Sequence, residues 1–312
     1  MSHSPFFIVN PYAKAGNAKE IWEQHVLPEV LRLYPGVLWS YSQSFEHGAC
    51  LALQAAEQEI DTVVAVGGDG TVNSVVNGLM QHKSVQKPTL ACIPLGTGCD
   101  FVKSLNIPLD FKVALFCIRL GHKIDCDVGC VDYTNPIQGD SSKYFINVAG
   151  YGANGEVAQW VDQSRQHFGS KTTYLAAVLS VIFKNMAYPT QIAFNDEEFS
   201  NVPLKALFVC NGSFCGGGMC PSPKASLSSG FLSVVAVENM NVFENIFYLS
   251  RLYSGNYQGI EKKITVKQVQ SLQVMSMIED EVYGDCDGES FLLKTAKFYL
   301  KPKALQVYSN LL

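Results

Sequence analysis

The sequence predicts a doubly wound α/β domain followed by a mainly antiparallel β-sandwich, and three observations carry that expectation. Up to residue 122, short β-branched runs alternate with longer amphipathic ones. From Lys123 onward the runs become strand-like and helices few. The chain has 312 residues, 47% of them apolar, which is long enough to fill two cores.

In the first part, Phe6 to Val9, Val37 to Tyr41, Thr62 to Val66 and Thr89 to Ile93 read as strands. Ala18 to Leu33, Gly48 to Glu59, Val72 to Gln81 and Phe111 to Leu120 have the apolar spacing of helices. Such alternation predicts a mostly parallel sheet covered on both faces, with ligands bound beyond the carboxyl ends of the strands. The second part supplies strand-like runs at Lys123 to Val131, Lys143 to Ala149, Thr190 to Phe194, Ala206 to Asn211, Phe231 to Val237, Lys263 to Val266 and Ser271 to Met277. The expected boundaries are 1–122 for the α/β domain and 123–300 for the β-rich domain.

The third strand runs straight into Gly67-Gly68-Asp69-Gly70-Thr71-Val72-Asn73, and a helix follows. Glycines there permit backbone angles closed to other residues and let the main chain approach a polyphosphate, while the positive end of the helix faces the anion. The turn has no lysine and the chain no Gly-Lys-Ser/Thr, which excludes a Walker A loop. The absence of His-Arg-Asp and Asp-Phe-Gly excludes a protein kinase. An acceptor-only carboxylate beside phosphates needs a metal or its water between them, so Asp69 is a magnesium-site or general-base candidate.

A second glycine turn, Pro94-Leu95-Gly96-Thr97-Gly98-Cys99-Asp100-Phe101, follows the fourth strand. Together the two turns closely resemble the Gly-Gly-Asp-Gly-Thr and Pro-x-Gly-Thr-x-Asn-Asp-Phe motifs of the diacylglycerol and lipid kinase family, which includes sphingosine kinases and is distantly related to NAD kinases. Asn10-Pro11-x-Ala13-x-Ala15-Gly16 looks like that family's opening element, and Asp287-Gly288-Glu289 matches its Asp-Gly-Glu. The resemblance covers nearly the whole chain in the right order. It implies an NAD-kinase-like first domain completed by the final segment, 301–312, and a site in the cleft between domains. It also implies ATP and Mg2+ as cofactors, with γ-phosphoryl transfer to the hydroxyl of a lipid alcohol such as diacylglycerol or a sphingoid base.

By that resemblance Glu289 is the first candidate for proton acceptor and Asp69 the second, with Asp69 and Asp287 as metal ligands and Asp287 beside the chemistry. Gly67, Gly68, Asp69, Gly70, Thr71, Asn73, Gly96 and Thr97 are expected to line the nucleotide, with Asn10 and Lys14 reaching phosphate or adenine from the first loop. A further hydroxyl contact falls at Ser42 or Ser44. From spacing alone, Asp285, Asp287 and Glu289 would share one face if the segment is a strand, the alternative being a solvated acidic turn. Three positions depart from the family pattern: Ser74 replaces a usual Glu, Cys99 a usual Asn, and Ser229 the aspartate of a structural magnesium site. An NAD kinase, or a catalytically weak nucleotide-binding regulatory protein, therefore stands as the alternative.

A net charge of −5 argues against nucleic acid as a partner and against adhesion to an anionic membrane by charge alone. Ten cysteines without a Cys-x-x-Cys pair read as reduced thiols in a cytoplasmic setting. A polar N-terminus that enters the first strand at once predicts no signal peptide. Tyr174 to Met186 is too short to span a bilayer and reads as a buried helix or a lipid-facing one. Gly150-x-Gly152-x-x-Gly155 is a formal dinucleotide fingerprint without its second strand and acidic residue, so it is read as a tight strand-to-helix connection. Expected partners are a lipid substrate, a transiently contacted membrane surface and, as an option, a second copy in a homodimer.

Overall fold

The computed structural model describes residues 4–164, 176–181, 184, 186–278 and 282–310. Most of the apolar Tyr174 to Met186 stretch therefore lies outside the described residues. The chain forms two compact units, Met1–Asp127 with Pro302–Leu312, and Val128–Lys301.

In the first unit, β1 (Phe6–Val9), α1 (Ala18–Ile21), α2 (Leu27–Leu33), β2 (Leu38–Tyr41), α3 (Phe45–Glu57), β3 (Thr62–Gly67), α4 (Asp69–Gln81), β4 (Thr89–Pro94), α5 (Asp100–Ser104) and α6 (Phe111–Leu120) follow in order. The strands pair in parallel as β2-β1-β3-β4, with Val9 opposite Tyr41 and Val66, and Val66 opposite Ile93. Every residue of β3 and β4 is buried, the state that an unbroken apolar run such as Val63-Val64-Ala65-Val66 requires in a sheet covered on both faces. The helix expected from Ala18 to Leu33 is interrupted by a π-helical turn at Trp22–Val26. Pro28 explains this, because in the first turn of α2 it has no N–H for the preceding turn and its ring crowds that turn's carbonyls.

Small residues set the approach of α3 to α4. A Cβ on Gly78 would collide with the Ala49 carbonyl, and one on Gly48 with the Ser74 hydroxyl. Ser74 is buried there and donates its hydroxyl hydrogen to the Phe45 carbonyl, so the position that departs from the family's Glu serves helix packing.

The second unit is built from β5 (Lys123–Asn135), β6 (Gly139–Phe145), β7 (Val148–Gly152), α7 (Ala153–Ser164), β8 (Tyr188–Phe194), β9 (Ser200–Cys210), β10 (Leu232–Glu238), α8 (Val242–Leu252), β11 (Ile264–Val269), β12 (Ser271–Ser276), β13 (Val282–Cys286), β14 (Glu289–Leu293) and β15 (Thr295–Tyr308). The strand β5 begins in the first unit, and β15 ends there with Val307 parallel to Leu90 of β4. Within the second unit the pairing is antiparallel: β14-β13-β7-β9, β9-β8-β12-β15, β9-β10-β11 and β5-β6.

Alternate residues of β7, β9 and β10 enter two different cores. Ala149, Tyr151, Leu207, Val209 and Val234 join one, while Val148, Phe208, Cys210 and Val235 join the other, beneath α8. Burial on both faces is why these strands read as continuous apolar runs. The single strand expected over Lys143 to Ala149 is instead two strands, because the N–H groups of Ile146 and Asn147 leave the ladder to donate to Asp287. All ten cysteines are free thiols.

Candidate functional site

The two glycine turns of the first unit meet through their backbones. A Cβ on Gly96 would overlap the Cα of Gly68, and one on Gly68 would lie 3.2 Å from the Cα of Gly96. Parallel pairing of β3 with β4, Gly67 opposite Pro94, is what delivers both turns to the same carboxyl edge. Gly67 is tight for a different reason, since the Thr71 side chain fills the place its Cβ would take. Neither Gly67, Gly68 nor Gly70 has a positive φ, so the expectation of unusual backbone angles is corrected: close approach, rather than a left-handed turn, excludes side chains from 67 and 68.

Gly68 caps α4 with extended backbone and no side chain, and its carbonyl accepts from the N–H groups of Thr71 and Val72 at 3.0 and 3.1 Å. The first amides of the helix have no intrahelical acceptor and stand at its positive end. Asn10, just past β1, donates its Nδ2 hydrogen to Thr71 Oγ1 at 3.1 Å, and its own N–H donates to the Val66 carbonyl at 3.0 Å. Asn10, Gly67, Gly68, Thr71 and Gly96 are thus assembled at one edge. Gly70 lies in the first turn of α4.

Asp69 is the first residue of α4, and its Oδ1 accepts the Phe101 N–H at 2.9 Å. It thereby holds the start of α5, an element that the sequence reading did not anticipate. Burial raises the Asp69 carboxyl above its ordinary range, and the neighbouring Asp100 carboxylate raises it further, while the Phe101 and Asp100 amides act in the opposite direction. Asp100 is itself buried and ion-paired with Lys103 at 2.7 Å. Between the turns sits Cys99 at φ 51°, a left-handed position at which Asn is better accommodated than most residues. Its thiol is pushed up to about 12, first by burial and then by Asp69, so it is a neutral, inert group.

The remaining expected nucleotide residues are placed less centrally. Lys14 is exposed on a loop where it and Ala15 both have positive φ, and Thr97 is exposed on the second turn. Asn73 is buried within α4, where its Oδ1 accepts the Asn77 Nδ2 hydrogen at 3.1 Å. Ser44 caps α3 by accepting the His47 N–H, whereas Ser42 is buried with its hydroxyl 3.4 Å from the Val9 carbonyl.

In the second unit the acidic segment is a tight hairpin rather than one strand. Asp287 and Gly288, at φ 49° and 88°, form the turn between β13 and β14, with Cys286 opposite Glu289. The alternation that would align Asp285, Asp287 and Glu289 on one face is therefore broken at the turn, and the acidic-turn alternative describes the backbone. The Asp287 carboxylate is engaged by the main chain. Its Oδ2 accepts the Ile146 N–H at 2.8 Å, and its Oδ1 those of Asn147 and Val148, each at 2.9 Å.

Asp285 is the acidic residue whose environment the spacing did not disclose. Burial pushes its carboxyl up to about 7; the Gly288 N–H, donating to it at 3.3 Å, lowers it, and Asp287 and Asp162 raise it. It faces Gly150, where a Cβ would strike its Oδ1. The glycine fingerprint belongs to this packing: Gly150 and Gly152 lie in β7, and Gly155 in α7 presses on the main chain of Tyr283 and Gly284. Since β7 is antiparallel to β9 and β13, no dinucleotide-binding βαβ unit forms there.

Residues 4–131 match the model of the diacylglycerol kinase catalytic domain, and residues 147–309 that of the YegS C-terminal NAD kinase beta sandwich-like domain. A diacylglycerol kinase of Staphylococcus saprophyticus is 28% identical over 238 residues, covering 76% of this chain and 73% of that protein. A Chromohalobacter salexigens protein named probable lipid kinase YegS-like is 33% identical over 258 residues, covering 83% and 79%. The crystal structure of a diacylglycerol kinase from Bacillus anthracis str. Sterne superposes with a TM-score of 0.73 at 21% identity, covering 99% of this chain and 97% of that one, which shows a shared fold.

Proposed function

The chain belongs to the family of diacylglycerol kinases and YegS-like lipid kinases, and from that premise we propose that it transfers the γ-phosphoryl group of ATP to the hydroxyl of a lipid alcohol, diacylglycerol or a sphingoid base. The observation that carries the reading is the backbone contact between Gly68 and Gly96, which brings the second glycine turn against the N-terminus of α4, where Asp69 stands.

The residues present fit the nucleotide. Positions that a Cβ would fill are glycine, the leading amides of α4 supply donors to an anion, and Asn10 and Thr71 add polar groups at the same edge. Lys14 and Thr97, both exposed, serve the outer parts of the nucleotide. The carboxylate of Asp69 also fits Mg2+, which takes one or two carboxylates together with phosphate oxygens. No cluster of three His, Cys, Asp or Glu side chains able to hold a metal occurs among the described residues, so Asp69 would hold the ion jointly with the phosphates. A carboxyl raised by burial and by a like charge is one that a cation stabilises in its ionised form. Bound there, the ion supplies electrostatic neutralisation of the transferred group.

The remaining work falls to side chains. Glu289 takes the proton from the attacking hydroxyl, a task for a carboxylate within hydrogen-bond reach of the acceptor. Asp287 positions it: three main-chain hydrogen bonds fix the turn that immediately precedes Glu289. The test is transfer of labelled γ-phosphate from ATP with Mg2+ into an organic-extractable product, with dispersed lipid alcohols as acceptors and Glu289→Ala alongside. A labelled lipid made by the wild type and reduced at least 100-fold in the variant is expected, the scale of a lost general base. ATP binding without any labelled product would overturn the reading in favour of nucleotide binding alone.

A further inference from the structure

The helix α8 packs Tyr248, Leu249 and Leu252 into the core and also carries a second apolar side that faces outward. A surface helix ordinarily turns its apolar stripe to the core. Here the fully buried positions are Asn245, Tyr248 and Leu252, whereas Phe243, Ile246, Phe247 and Tyr253 are 84%, 51%, 43% and 54% exposed. Residues 243, 246, 247 and 253 recur on one side at helical spacing. The inward polar groups hold this orientation: Asn245 Nδ2 donates to the Met240 carbonyl at 3.1 Å, and the Tyr248 ring stacks on Tyr257 with centroids 6.0 Å apart. A reciprocal capping box, Asn241 with Glu244, fixes the start of the helix and engages the acidic side chain of its first turn.

Cations flank the apolar side. The Arg251 guanidinium lies 4.7 Å from the centre of the Phe247 ring, and Lys262 and Lys263 follow in a short 3-10 turn next to the exposed Glu261. Ile260 and Ile264, which bracket those lysines, share the core beneath α8 with Tyr248 and Leu252, so Lys262 and Lys263 are brought near this helix and its Arg251 in a chain of net charge −5. Aromatic rings with Arg and Lys at their margin are the chemistry of a helix lying in a lipid headgroup layer. Among the described residues no helix is long and apolar enough to cross a membrane.

We propose that α8, with Arg251, Lys262 and Lys263, is the surface by which this chain docks onto an anionic bilayer. The inference rests on the lipid-kinase reading for its purpose, since the acceptor must be collected from a membrane, but vesicle binding is measured without ATP and so tests it separately. The protein is floated with vesicles of phosphatidylcholine alone or mixed with phosphatidylglycerol, alongside the Phe243→Ser/Phe247→Ser double variant and the Lys262→Gln/Lys263→Gln double variant. The wild type is expected to prefer anionic vesicles, with affinity falling as salt rises. The aromatic variant should bind them at least tenfold more weakly, and the lysine variant should lose the anionic preference. Both should phosphorylate a short-chain, water-soluble acceptor as the wild type does. Equal vesicle binding by wild type and aromatic variant would overturn the proposal. So would a change from dimer to monomer in that variant with vesicle binding intact, which would assign the face to a second copy. Failure of the wild type to phosphorylate any acceptor would count against the kinase reading, whatever the vesicles show.

Discussion

The chain uses glycine and aspartate together twice, at Gly67–Thr71 and at Asp285–Glu289, and the two turns are built differently. In the first, the glycines have no positive φ, Gly67 and Gly68 are crowded by Thr71 and Gly96, and Asp69 at the start of α4 accepts the Phe101 N–H. In the second, Asp287 and Gly288 adopt left-handed angles, and the Asp287 carboxylate engages three main-chain N–H groups of its own unit. Both carboxylates accept main-chain N–H groups from elsewhere in the chain, but the first stands at the start of a helix and the second in a hairpin turn. A glycine-rich acidic motif therefore does not by itself say what its carboxylate serves, and the element that the turn opens distinguishes the two.

Substitutions can break this contrast, and the largest effect is expected at the first turn. Asp69→Asn should lower phosphoryl transfer roughly 10³-fold, the scale of removing a preorganised electrostatic group, because the amide cannot balance a cation. Its Oδ1 can still accept from Phe101, so thermal unfolding should be nearly unchanged. Normal turnover in that variant would remove Asp69 from the site.

Asp287→Ala should show the reverse signature. Three main-chain donors lose their acceptor, which should cost about 2–4 kcal/mol in urea unfolding. Unchanged stability, with activity alone lost, would return Asp287 to the chemistry and erase the contrast.

Gly96→Ala sharpens the first half of the comparison. The added methyl meets the Cα of Gly68 and must push the two turns apart, which should cost about 1–3 kcal/mol of stability. Nucleotide titration should show an affinity loss of roughly tenfold, as expected when a backbone cradle is widened. Unaltered affinity would mean that the turns do not cradle the nucleotide together.

The smallest effect concerns Asp285. With a carboxyl near 7 in the folded chain against an ordinary value of 3.8, the folded state binds the extra proton between those limits, so stability falls as pH rises from about 4 to about 7. Asp285→Asn removes the titration and should stabilise the protein by ~1–2 kcal/mol at pH 8 with little effect at pH 4, as unfolding curves at the two pH values would show. Parallel pH profiles for the two proteins would contradict the burial assigned to this carboxyl.

Much of the first unit was legible in the sequence because its signals are local. The runs at Phe6–Val9 and Phe111–Leu120 coincide with β1 and α6, and the strand-turn-helix over Thr62–Gln81 is continuous in sequence. Legibility declined where distant contacts override local pattern. The break between β6 and β7 depends on Asp287, which lies 140 residues from Asn147. The hairpin β13–β14 was hidden because its acidic alternation imitates one strand. The exposed aromatic side of α8 was invisible because a helix apolar on two sides does not say which one the rest of the chain will cover.

The sequence alone determined the family, the order of the glycine turns and the candidate carboxylates, since these rest on residue identity and short-range spacing. The tertiary structure decided which glycines answer to crowding, which main-chain amides each aspartate engages, and which carboxyl burial pushes up to about 7. Those properties depend on atoms brought close by folding from distant points in the chain. Hydrogen bonding, desolvation and steric exclusion act over a few ångströms of space, however many residues separate the partners.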